Sequence, residues 1–116
     1  MRVPSFMLKK LYVDDSLEAR EEGGFAFKLK NNLATATIVA PPEVQIDGTP
    51  VDIAFELDGD PIPAEDITED SPFDLDKGVE VRVVSDDEIE DGAHQIGIKA
   101  ETDEWDTLDF DVEDTL

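Results

Sequence analysis

His94 is the single histidine of the chain, and the one side chain whose ordinary pKa suits proton transfer near neutrality. As a general base it would need an oriented partner within hydrogen-bond reach, and none stands out in the sequence. Beside Gly92 and at the opening of an extended segment, it reads as a surface or edge histidine. Asp58-Gly59-Asp60 has the start of a calcium loop. A complete loop spaces further oxygen ligands and ends in a glutamate that binds with both oxygens. Here Pro61 and Pro63 interrupt, and among 31 acidic residues such a fragment is expected by chance. Asp86-Asp87-Glu88-Ile89-Glu90-Asp91 would attract cations loosely and reads as a solvated turn. No carboxylate pair for glycoside chemistry stands out from so many acids. No glycine-rich loop precedes a helix to cradle phosphate. The absence of cysteine excludes disulfides, thiolate metal sites and a thiol nucleophile. No catalytic, cofactor-binding or metal-binding residue is therefore assigned, and no cofactor is expected.

Charge constrains partners more than chemistry. Nine basic residues face 31 acidic ones, a net charge of -22, with aspartate more frequent than glutamate. Repulsion at this density destabilises a compact chain in dilute buffer, and is screened over roughly 3 Å at 1 M salt. The acids are spread over the chain and not gathered in a tail, which fits a cytoplasm at high salt better than a dedicated acidic surface. A nucleic-acid partner is excluded by the same balance. The balance is uneven. Residues 1–30 hold six basic residues (Arg2, Lys9, Lys10, Arg20, Lys28, Lys30) and five acidic ones, a net of +1; residues 31–116 carry -23. Two causes are open: pairing of those cations with neighbouring acids inside the fold, or a subunit interface, where excess negative charge would be costly to bury. The interface candidates are Phe6, Lys9, Lys10, Tyr12, Lys28 and Lys30.

These residues must be positioned by short extended segments. Gly24-Phe25-Ala26-Phe27-Lys28-Leu29-Lys30 alternates strictly, with Phe25, Phe27 and Leu29 on one face, between Gly23-Gly24 and Asn31-Asn32. Further strands are expected at Phe6–Asp14, with apolar residues on both faces, at 17–20, 33–40 and 43–47. Others follow at Val51–Leu57, Val79–Val83, Ala93–Ala100 and Trp105–Glu113. Asp47-Gly48 and Asp58-Gly59 mark tight turns. Residues 61–78, broken by prolines, leave room for one helical turn near Ala64–Ile67, pinned to the core by Ile62, Ile67, Phe73 and Leu75. About seven to nine short strands with turns between them predict one all-β domain over residues 1–116. Its expected form is an antiparallel β-sandwich of immunoglobulin-like architecture, without the paired cysteines of true immunoglobulin domains. No run of 18 apolar residues spans a bilayer, and the first residues lack the pattern of a secretory leader, so a cytoplasmic protein is expected.

The run Phe6-Met7-Leu8-Lys9-Lys10-Leu11-Tyr12-Val13, then Ser16-Leu17, then Gly24 to Asn31, followed by Ala34 and Thr37-Ile38, resembles two related families. One is a set of small archaeal proteins labelled hydroxymethylglutaryl-CoA reductase. The other, more distant, is the small β-subunit of C-glycoside deglycosidases. Val44 to Gly48 and Gly92 to Ile98 fit the same layout. The deglycosidase resemblance implies a β-sandwich that packs on a sugar-isomerase-like barrel, the barrel holding metal and catalytic residues. The reductase label implies a large substrate domain, a nicotinamide site and catalytic Lys, Asp, Glu and His groups, for which a 116-residue β chain with one histidine has no room. The expected function is a non-catalytic small subunit of such a metabolic complex in a halophile. The alternatives are a stand-alone reductase, or a self-assembling binding or structural domain that forms a homo-oligomer.

Overall fold

The computed structural model describes residues 3–116; the predicted less acidic quarter includes Arg2, which lies outside them. Among the described residues the chain forms eleven strands in two antiparallel sheets. The first sheet orders as β1 (Glu18–Ala19), β2 (Phe25–Lys30), β9 (Glu80–Ser85), β6 (Ala54–Leu57) and β7 (Asp60–Pro63). In the second, β10 (Ala93–Thr102) is the organising strand. It pairs along its whole length with β11 (Asp106–Thr115). Its other edge meets β4 (Glu43–Ile46), and β3 (Ala36–Ile38) at Thr102. β5 (Thr49–Val51) continues from β4, and β8 (Phe73–Leu75) from β3. The architecture is the expected sandwich, with more strands than expected.

Alternation decides which side chains face inward. Phe27 lies opposite Val83, and Leu29 opposite Val81. Ile96 lies between Ile46 and Val112. Phe25, Phe27, Val81, Val83 and Ile96 are fully buried, and each such large side chain contributes about 1.5–3 kcal/mol relative to exposure. Phe25 and Phe27 stack at 6.5 Å between ring centroids, and Tyr12 leans on Phe27 at 5.5 Å. The outer face of the first sheet is an ion ladder. Arg82 meets Glu56 at 3.2 Å and Glu18 at 3.4 Å, Arg20 meets Asp86 at 3.0 Å, and Lys28 reaches Glu80 at 4.0 Å. Such half-exposed pairs contribute about 0–1 kcal/mol each, so they relieve repulsion more than they hold the fold.

The turns follow the residue types. Asp47-Gly48 and Asp58-Gly59 have positive φ at both positions, 53° and 84°, and 54° and 85°. That is the backbone a two-residue hairpin needs, and it closes β4–β5 and β6–β7. Gly24 is required for space: a Cβ there would stand 1.9 Å from the Ser85 carbonyl oxygen. The edge strands β5 and β7 carry Pro50, Pro61 and Pro63, which lack the N–H a central strand must donate.

Three expectations are corrected. Residues 6–14 are not a strand: Ser5–Leu8 form a helical turn, α1, continued by a 3-10 turn at Lys9–Leu11. The Pro4 carbonyl accepts the N–H groups of Met7 and Leu8 to start it, and Met7, Leu8 and Leu11 share a helical side that meets the interior. Extended structure in 33–40 is confined to Ala36–Ile38, because Asn31 folds the preceding residues into a turn; its side-chain amide donates to Ala34 and Leu75 carbonyls at 2.7 Å. Residues 61–78 are more regular than expected, holding β7, a 3-10 turn at Ala64–Asp66 and β8. Ile67 and Phe73 anchor them, Leu75 packs at the margin of the core, and Ile62 is exposed.

Candidate functional site

The interior is not uniformly filled. Towards the turns at 31–34 and 102–105 the two sheets enclose a cavity of about 370 Å³. Leu29, Phe55 and Val83 wall it from the first sheet, and Ile38, Val44, Ile98 and Phe110 from the second. Met7, Leu8 and Leu11 flank it from the N-terminal segment, and Leu33, Trp105 and Leu108 complete it. Ala34, Ala36 and Ala100 stand where larger side chains would fill the space. Apart from Lys30, Asn31, Asn32 and Thr102, the lining is aliphatic or aromatic. Asn31 is committed to its turn, its Oδ1 accepting Leu33 N–H at 3.2 Å. Trp105 is held by its indole N–H donating to the Thr35 carbonyl at 3.1 Å, and by its backbone N–H donating to Thr102 Oγ1.

Two buried polar clusters lie elsewhere, and both are structural. His94 is only 9 % exposed, not the surface histidine expected. Its Nδ1 stands 2.6 Å from Asp47 Oδ2 and its Nε2 2.5 Å from the Glu90 carbonyl. Both neighbours are acceptors, so these contacts favour the doubly protonated ring. The pKa is accordingly raised, first by the Glu90 carbonyl and then by Asp47. Asp47 is held below its usual range by the Gln95 backbone N–H and by His94. A doubly donating imidazolium has no lone pair with which to accept a proton. The partner missed in the sequence is 47 residues away, on the β4–β5 turn; the Asp-Gly turn was legible, its contact with β10 was not.

The second cluster ties the N-terminal segment to β11. Tyr12 Oη donates to Asp114 Oδ2 at 2.5 Å, and Leu17 N–H donates to the same oxygen at 3.0 Å. Thr115 N–H donates to the other oxygen at 2.7 Å. Burial and this bond push the Tyr12 hydroxyl well above its ordinary value. Burial alone would raise Asp114, but the donors outweigh it and its carboxyl lies low. Tyr12, one of the interface candidates, is a buried strut in this chain.

Of the other candidates, Phe6 is 67 % exposed, and Lys9, Lys10, Lys28 and Lys30 are exposed. Pairing within the fold accounts for part of the uneven charge. Arg20 and Lys28 pair within the fold, whereas Lys9, Lys10 and Lys30 make no ion pair among the described residues. Asn32 ties the helical segment to the cavity rim, its side-chain amide reaching the Lys10 carbonyl at 3.4 Å. Asp58 and Asp60 sit at the β6–β7 hairpin, and among the described residues no three potential metal ligands converge. The acidic run at 86–91 is solvent-exposed as expected and is also tied to the fold: Asp86 pairs with Arg20, Asp87 accepts Asp52 N–H, and Glu88 accepts Gly24 N–H.

The family model of the hydroxymethylglutaryl-CoA reductase N-terminal domain matches residues 7–116. The chain belongs to this family. No curated protein matches it. The match begins within α1 and takes in the N-terminal helical segment, both sheets and the whole cavity lining except Val3. The family's name implies a nicotinamide cofactor, and the residues present do not fit one. A dinucleotide pyrophosphate needs converging backbone or cationic donors, and the cavity offers an aliphatic wall with few free polar groups. Among the described residues no helix is long and apolar enough to cross a membrane.

Proposed function

We propose that the chain is a non-catalytic β-sandwich subunit that docks, by its N-terminal quarter, on a larger metabolic enzyme subunit of the sugar-isomerase-like barrel type in a halophile. The observation that carries this reading is the patch around α1. In a chain of net charge -22, Lys9, Lys10 and Lys30 stand without acidic partners among the described residues, beside an exposed Phe6. An aromatic anchor among cations suits a protein interface, where charges left unpaired on the free surface find partners on binding. The committed state of His94 supports the non-catalytic part. The spread of carboxylates over both sheets supports the high-salt part.

The test is purification from native cells in molar salt, with the wild-type chain and a Phe6→Glu/Lys10→Glu variant. The expected result is a stoichiometric barrel-type enzyme with the wild type and its loss with the variant, far-UV circular dichroism being unchanged. A wild-type chain that elutes alone, or only as a homo-oligomer, overturns the docking role. The family match favours a second reading, a reductase in its own right. Nicotinamide oxidation dependent on hydroxymethylglutaryl-CoA by the isolated chain would establish it in place of the first.

A further inference from the structure

We propose that the cavity between the sheets is a binding site for a medium-length aliphatic chain bearing an anionic head group. The proposal concerns the interior of the sandwich; its head-group part shares Lys10 and Lys30 with the docking patch, so it is tested on the isolated chain. Three observations carry it. The first is size: at about 30 Å³ per methylene-sized group, 370 Å³ admits up to roughly twelve such groups and falls in the range of small-molecule pockets. The second is the wall. Both sheets contribute aliphatic and aromatic side chains, while Ala34, Ala36 and Ala100 keep the space open. A wall of this kind gives an alkyl chain favourable burial and gives a sugar or nucleotide no partners for its hydroxyl groups. The third is the rim. Of its polar members, Lys30 makes no ion pair among the described residues, and Asn32 gives its side-chain amide to the Lys10 backbone carbonyl. Lys10 and Lys30 are exposed, make no ion pair among the described residues and lie on the two segments that border the mouth, which favours a carboxylate or phosphate there in a chain of net charge -22. The Glu104 carboxylate, next to Trp105, is already bound to the backbone N–H and hydroxyl of Thr37 at 2.8 and 2.9 Å.

Trp105 lines the cavity and is the sole tryptophan, so its fluorescence reports occupancy directly. The full chain in molar salt is titrated with decanoate, decanol and decyltrimethylammonium, each below its aggregation threshold. The expected result is a saturable emission shift, tightest for decanoate and weakest for the cationic chain. Filling the cavity with Ala36→Phe is expected to weaken decanoate at least about tenfold, the equivalent of roughly two buried methylenes. Ala34→Phe serves the same purpose at the mouth should the first variant not fold. Lys30→Glu is expected to weaken decanoate while leaving decanol unchanged. No saturable shift with any of the three, or folded filled variants that bind as the wild type does, would overturn the site. Equal binding of the anionic and cationic chains would overturn the head-group assignment.

Discussion

Two parts of the same interior differ in a way their residue pattern does not announce. Around Tyr12, Phe25, Phe27 and Ile96 the sheets meet over large, buried side chains in mutual contact. Towards Leu33, Ala36, Ala100 and Leu108 the same alternation continues, yet a cavity of about 370 Å³ lies between the sheets. Strand periodicity sets which side chains point inward; their sizes, summed across facing strands, set whether the space closes. Three alanines, Ala34, Ala36 and Ala100, are among the residues that line it.

The largest expected effect tests that contrast directly. Phe27→Ala should cost about 3–5 kcal/mol by denaturant unfolding in molar salt, since it opens a void in a filled region. Leu33→Ala, on the wall of an existing cavity, should cost about 1 kcal/mol or less. Equal losses would erase the distinction between the two regions. Next in size is Tyr12→Phe, at about 1–3 kcal/mol, because it leaves the buried Asp114 carboxylate short of one donor while keeping the ring on Phe27. A change within a few tenths would show that the strut does not hold the N-terminal segment.

The smallest effect is the pH dependence set by His94 and Asp47. His94 lies above 6.5 in the fold, so its contribution is complete below that value and is lost as pH rises through the folded one. Asp47 lies below 3.8, so its contribution is complete above that value and is lost as pH falls through the folded one. The part of the melting temperature owed to this pair should therefore be greatest between pH 3.8 and 6.5. His94→Gln should remove the decline on the alkaline side; an unchanged decline in the variant would assign it to another group.

Most of the strands and both Asp-Gly hairpins were legible because period-two alternation and positive-φ turn residues are local properties; β7, β8 and the break between Val51 and Ala54 were not. The helical turn at Ser5–Leu8 was not. Phe6, Met7, Leu8 and Leu11 are apolar on both strand faces, and only packing of Met7, Leu8 and Leu11 over the open interior decides for the helix. The cavity was hidden for the same reason: it is a property of facing strands, and no single segment carries it. The partners of His94 and Tyr12 lie 47 and 102 residues away, so the sequence marked these residues without their contacts. The unpaired cations of the first quarter were the one part of the candidate surface visible in the charge balance.

The prolines of the marginal strands have a consequence for assembly. Pro50 on one sheet, and Pro61 and Pro63 on the other, leave gaps in the ladder that a neighbouring molecule would need to continue. Along β11, Asp109, Asp111 and Glu113 recur at every second residue, so a second copy laid alongside would meet carboxylates in register. High salt removes much of the long-range repulsion that keeps acidic proteins apart; these interrupted borders would still discourage sideways growth into fibrils when that protection is gone.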